Sequence, residues 1–191
     1  QAIETDYLVG VGDELTLIQL NEVNKGLSKI ISDGNDENNR IVGNLQPSET
    51  ILKTSSHVGT NGNILLLGLG SIKAKNRSLN DIQTEVRNIL IRNGLAPSFQ
   101  LEITGFNSKK AFVTFPNANN TFGNNTVTIT NLPISLKELV INYGMRPSSR
   151  ETAIVTLTRE GQRFPMTADQ IFDKSSPRIV VKDKDQIEIE K

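Results

Sequence analysis

The chain has 191 residues, long enough for one large domain or two small ones that each bury a workable core. Its 21 Lys and Arg balance 21 Asp and Glu, so it lacks the basic footprint that nucleic acid or an anionic membrane surface requires, and no nucleic-acid partner is expected. With no cysteine, thiolate nucleophiles, disulfides and Cys-ligated zinc are excluded within these residues. No apolar run is long enough to span a bilayer, the longest being ILLLGLG at 64–70, and no signal peptide precedes Gln1. If the protein is secreted or anchored, the responsible segment is expected outside these residues.

The ordered part opens with YLVGVGDELTL at 7–17, where a Gly-Val-Gly-Asp turn feeds alternating Leu15 and Leu17, the pattern of a half-buried strand. Asp13 in that turn is suited to accept hydrogen bonds from nearby backbone, and its loss by Asp13→Ala is expected to cost on the order of 1 kcal/mol. Residues 21–63 are rich in Asn, Ser, Gly and Asp and read as a long surface excursion, a loop over about 24–60. Asn61-Gly62 then signals a tight turn, followed by a short apolar strand over Ile64 to Leu67.

SLNDIQTEVRNILIRNG, 78–94, carries Leu79, Ile82, Val86, Ile89 and Leu90 at helical spacing, with Ser78 as N-cap and Gly94 after the last turn. Pro97 breaks the helix, and Phe99, Leu101 and Ile103 alternate through the strand SFQLEITGF. KKAFVTF (109–115) and TVTIT (126–130) read as strands joined by the loop PNANNTFGNN. SLKELVINYG is a second helix, with a Ser135–Glu138 capping box, a buried stripe of Leu136, Leu139 and Val140, and Gly144 as its stop. Three further strands are expected: AIVTLTR (153–159), RIVV (178–181) and QIEIE (186–190).

Strands, helix and strands thus occur twice, which predicts an α+β chain of two small mixed-sheet domains. GDELTL at 12–17 and KDQIEI at 184–189 both place an Asp ahead of apolar residues two apart, so Asp13 and Asp185 are expected in equivalent turns.

Groupings that would carry chemistry are not found. His57, the one histidine, has no arranged carboxylate nearby, and a set made of Ser55, His57 and a distant Asp would use abundant residue types; a loop histidine is the expectation. LLGLGS at 66–71 lacks both the Lys-Ser/Thr ending of a phosphate loop and the third Gly of a dinucleotide fingerprint, so its glycines are read as a tight strand connection. SDGNDE at 32–37 has oxygen ligands but neither EF-hand spacing nor the closing Glu. With no Trp and only 2 Tyr and 7 Phe, a sugar-stacking face is not evident. Catalytic residues, cofactors and metals are all expected to be none.

The order of these motifs resembles the polysaccharide export family, the Wza-like proteins that carry capsule or exopolysaccharide through the outer membrane of Gram-negative bacteria. Tyr7, Gly10 and Gly12-Asp13-Glu14-Leu15 match its opening Y-x-x-G-x-GD-x-L; Gly62-Asn63-Ile64, Gly70-Ser71-Ile72, Ser78-Leu79 and Pro97 resemble its later turns, helix start and closing strand. Residues 108–191 resemble one SLBB domain, a β-grasp-like module, through the helix ending at Gly144, Arg159 before Glu160-Gly161, and Asp185 before Ile187 and Ile189. Val11 and Leu67 stand where the family favours proline, Asn76 where it favours glycine, and Asn142-Tyr143-Gly144 replaces an Ala-Gly-Gly turn.

The resemblance implies an export domain over 1–107 and an SLBB domain over 108–191. It implies a non-enzymatic homo-oligomer ring (an octamer in the best-known relatives) around an aqueous passage. It implies polysaccharide in transit and an inner-membrane polysaccharide co-polymerase or tyrosine autokinase as partners, in the periplasm at the outer membrane. The family's lipidated N-terminal cysteine and amphipathic C-terminal membrane helix are not among these residues, so a periplasmic fragment or a relative anchored elsewhere is implied. A β-grasp ligand-binding or protein-docking module without a pore is the alternative.

Overall fold

A computed structural model of the chain describes residues 6–21, 50–116, 122–145 and 153–190. Leu15 and Leu17 alternate along β1 (Glu14–Asn21) and are fully buried. β1 is the centre of an antiparallel sheet ordered β2-β1-β5, with β2 at Thr50–His57 and β5 at Phe99–Gly105.

β2 corrects the loop expected to run to about residue 60. It pairs with β1 residue for residue, from Glu14↔His57 to Asn21↔Thr50. TILKTSSH hides this because it does not alternate, and within 51–57 only Thr54 is buried. The pairing with β1, rather than its own pattern, makes this segment a strand. Residues 22–49, including SDGNDE, lie outside the described residues.

β3 (Asn63–Leu66) and β4 (Gly70–Lys73) form the hairpin expected of LLGLGS, burying Ile64, Leu66 and Ile72. Gly62 and Gly70 adopt φ of 81° and 86°, a left-handed backbone that favours glycine. Asn76, at φ 62°, occupies the same region without glycine, as Asn tolerates.

The first helix, α1 (Leu79–Arg92), begins where Ser78 accepts the Asp81 N–H at 3.2 Å. It ends where Gly94 turns left-handed and Leu95 N–H returns to the Leu90 carbonyl at 2.9 Å. Pro97 follows in the exposed connection to β5. Ile82, Val86 and Leu90 face Leu15, Leu17, Leu101 and the hairpin to complete one hydrophobic core.

A second core gathers residues 111–189. Its sheet comprises β6 (Lys110–Pro116), β7 (Phe122–Thr128), β8 (Ile154–Arg159), β9 (Gln162–Thr167) and β10 (Gln186–Glu190). The order is β7-β6-β10-β8-β9, with β6 and β10 parallel at the centre and the remaining pairs antiparallel. One face is covered by α2 (Leu136–Asn142), whose Ser135–Glu138 capping box forms and whose Leu136, Leu139 and Val140 are buried, and by the short α3 (Ala168–Phe172). The chain is therefore α+β with small mixed sheets, as the sequence predicts.

Four details differ from the sequence reading. RIVV at 178–181 is not a strand: only Val180 forms a bridge, to Ser135 at the start of α2. β7 begins at Phe122, inside the stretch read as loop, of which 117–121 lie outside the described residues. β9 and α3 were not anticipated; β9 is an edge strand carrying Pro165, and α3 is five residues long, too short to show a period. Glu160 and Gly161, at φ 51° and 79°, make the two-residue turn between β8 and β9.

Candidate functional site

The signature residues of the opening stretch converge on one carboxylate. Asp13 is fully buried, and its turn closes by the Asp13 N–H donating to the Gly10 carbonyl at 3.2 Å. Oδ2 accepts from Gly10 N–H (2.8 Å), Tyr7 Oη (2.8 Å) and Ser108 Oγ (2.9 Å). Oδ1 accepts from the backbone N–H groups of Asn107 and Ser108, both at 2.8 Å. Burial would raise the pKa of this carboxyl, but the Gly10 and Asn107 N–H groups, then Tyr7 and Ser108, hold it below the usual carboxylate value.

The surroundings fix that geometry. A Cβ on Gly10 would lie 2.4 Å from Cβ and Oγ of Ser108, so only glycine lets the 7–13 turn approach the 106–109 crossing. Gly12, at φ 92°, donates to the Val58 carbonyl at 2.9 Å and accepts from Asn107 Nδ2 at 3.0 Å. The Tyr7 ring meets Phe106 edge-on at 5.1 Å, and Lys109 Nζ lies 4.4 Å from its centroid. Burial first, then the hydrogen bond to and the charge of Asp13, raise the Tyr7 pKa far above that of a free phenol, so it stays a donor.

Asp185 occupies the equivalent turn before β10. Its Oδ2 accepts the Lys182 N–H at 2.7 Å and its own N–H donates to the Lys182 carbonyl at 3.2 Å, repeating the Gly10–Asp13 pattern, with Lys184 left-handed where Gly12 is. Here a cation completes the shell. Arg159 Nε donates to Oδ1 at 2.8 Å and Nη2 to Oδ2 at 2.6 Å, while Nη2 also reaches the Val180 carbonyl at 2.7 Å.

The residues singled out by sequence therefore divide. Tyr7, Gly10, Gly12 and Asp13 form one joint, and Arg159 with Asp185 forms a second. Leu15 belongs to the first core, while Gly62, Gly70, Pro97 and Gly144 shape turns apart from both joints. The sequence reading missed Asn107, Ser108 and Lys182: each donates a backbone N–H, which carries no residue-type signal, and Ser108 Oγ and Asn107 Nδ2 add side-chain donors whose partners lie far away in the chain. His57 lies on β2 rather than in a loop, exposed, with Nε2 3.6 Å from Glu14 Oε2.

Between the two cores runs a cleft of about 1140 Å³, walled by Tyr7, the start of α1 and Ile103 on one side and by Lys109, residues 129–133 and 178–183 on the other. No group of three or more His, Asp or Glu side chains able to hold a metal occurs among the described residues. No helix among them is long and apolar enough to cross a membrane. The lone pairs of Asp13 face five donors, an arrangement that holds backbone in place and leaves no oxygen poised to take a proton from a substrate. Compared with known proteins, the chain matches no family model and no curated protein sequence.

Proposed function

We propose that the chain is a periplasmic subunit of an outer-membrane polysaccharide exporter: an export domain over 1–107, then one β-grasp-like SLBB domain over 108–191. Copies close into a ring around an aqueous passage for capsule or exopolysaccharide. The observation that carries this reading is the gathering of Tyr7, Gly10, Gly12 and Asp13 around one buried carboxylate that also grips Asn107 and Ser108. Residues of the export signature thereby tie the first sheet to the crossing that leads into the second. A wall built of stacked layers needs such a joint, because layers that swivel independently could not close a ring of fixed diameter.

The strand order β7-β6-β10-β8-β9, with first and last strands parallel at the centre and α2 between the hairpin and β8, supports the β-grasp half of the reading. The role is non-enzymatic and needs no cofactor: a wall must offer polar groups that bind polymer weakly enough to let it leave. The inner-membrane polysaccharide co-polymerase or tyrosine autokinase is the partner that delivers polymer. Contacts around a closed ring join two different patches of each subunit.

Light scattering and native mass spectrometry of the full-length protein test the reading. A closed oligomer of defined subunit number is expected, and a monomer at the highest attainable concentration overturns it. The cleft between the cores favours a second reading, a ligand-binding module without a pore, which that monomer would support.

A further inference from the structure

The strands β2, β5, β7 and β9 form the outer edges of the two larger sheets, and three of those edges are blunted. On β9 the outward positions include Pro165, which has no N–H, and Thr167, whose N–H is taken by Gln170 Oε1 at 2.9 Å. On β7 the outward Thr126 N–H is capped by Asn125 Oδ1 at 2.8 Å. On β5 the outward Leu101 carbonyl accepts Gln83 Nε2 of α1 at 3.0 Å.

β2 has no such guard. Val58 N–H donates to the Asp13 carbonyl at 2.8 Å, so in the register of β1 with β2 the backbone groups of Thr54 and Ser56 turn to β1, while those of Ile51, Lys53, Ser55 and His57 turn outward. None of these outward groups has a partner among the described residues. The strand runs for 8 residues without proline and exposes Ile51 and Leu52 beside the open groups. An edge left in this state is a template for another strand.

A second β2 suits it best, because β5, β7 and β9 have spent groups that a ladder needs. Charge points the same way. Lys53 has no carboxylate at ion-pair distance among the described residues, whereas Glu14 shares its sheet face at the far end of the strand, opposite His57. Antiparallel pairing of two β2 strands carries each Lys53 toward the other Glu14. A two-fold at Lys53 would oppose two ammonium groups, and one at Thr54 would set them on the diagonal. A two-fold at Ser55 places Lys53 across from the partner's His57, one strand from the partner's Glu14. Pairing ends there, since Gly59 N–H is already donated to the Asn63 carbonyl at 2.9 Å.

We propose that β2 docks the β2 of a second copy, antiparallel about a two-fold at Ser55, so that the sheets of the two copies become one. This goes beyond the ring: a ring closes through two different patches, whereas this contact is self-complementary and joins two rings, or two lone subunits, face to face.

Native mass spectrometry of the full chain beside Ser55→Pro tests it. Proline at an outward position removes an N–H that the second strand needs and spares the ladder with β1, at the loss of the Ser55 to Thr16 hydroxyl contact. The variant should keep the parent's circular dichroism and have half its mass. Halving is expected for rings and for lone subunits alike, so the variant's own mass, closed ring or monomer, decides the exporter reading separately. Ser55→Cys reads the register. Two such Cα atoms would stand about 5.5 Å apart across a hydrogen-bonded pair, within disulfide reach, and the parent chain has no cysteine, so oxidation should give a covalent dimer. Lys53→Cys, displaced from the two-fold, should not. The inference is overturned if the parent's mass equals that of a folded Ser55→Pro, if Ser55→Cys gives no covalent dimer, or if Lys53→Cys crosslinks as efficiently; the cysteine variants decide it where proline prevents folding.

Discussion

A carboxylate buried without a cation must be solvated by the protein itself, because leaving it bare costs several kcal/mol. Asp13 meets that demand with three backbone N–H groups and two hydroxyls. Removing the carboxylate strands the donors as well, so Asp13→Ala should destabilise by about 3–5 kcal/mol rather than the ~1 kcal/mol expected of an isolated turn. Tyr7→Phe removes one donor and keeps the ring against Phe106, so about 1 kcal/mol is expected. Urea unfolding midpoints at unchanged slope measure both. The same carboxyl sets a pH dependence. Its pKa is lower folded than unfolded, so in acid the unfolded chain binds more protons. The stabilisation is complete above the unfolded value of about 3.9 and is lost as pH falls through the folded pKa. Glu138, lowered by the Ser135 backbone and hydroxyl, and Asp173, lowered by Ser175, act with the same sign. Asp13→Asn should therefore flatten the acid limb of the stability curve without abolishing it.

The strand-opening turn is an element with a steric requirement as well as a polar one. Gly10→Ala would push Cβ into Ser108, at a cost of about 1–3 kcal/mol for an overpacked contact. Ser108→Gly removes the obstructing atoms, so the double variant should lie closer to the parent than the sum of the single losses, a coupling that a double-mutant cycle in urea reads directly. The sequence makes part of this legible. Asp13 and Asp185 could be matched because a turn and the strand after it are local, and α1 and α2 showed themselves by period and caps. The donors to Asp13 Oδ1 could not be read, since they are backbone N–H groups 94 and 95 residues away. Arg159 and Asp185 were each visible in a motif, but nothing across 26 residues announced that they pair. β2 failed for a related reason: TILKTSSH takes its strand state from β1, and its own side chains bury too little to show a period. RIVV misled in the opposite direction, being apolar enough for a strand yet bound to the start of α2 through one bridge.

At the scale of the molecule, two hydrophobic cores share no residue, and the 106–109 crossing passes between them. Whether they unfold together depends on how much free energy the joint contributes, and that joint is largely Asp13 with Asn107 and Ser108, supported by Lys109 over Tyr7. In the parent chain the joint carries several charge-assisted hydrogen bonds, so melting either core breaks contacts that the other holds in place. A single calorimetric transition is expected, with calorimetric and van't Hoff enthalpies equal. In Asp13→Ala the coupling falls away, and the transition should broaden or split in two, the calorimetric enthalpy exceeding the van't Hoff value. The core holding β1 should melt first, because the turn that opens β1 has lost its acceptor, while Arg159 still secures Asp185 before β10. A ring built of such subunits should inherit the defect: Asp13→Ala chains that remain folded at low temperature should assemble less completely, with larger losses on warming. Assembly equal to the parent's despite two separate transitions would show that the ring itself, rather than the Asp13 joint, holds the two sheets in register.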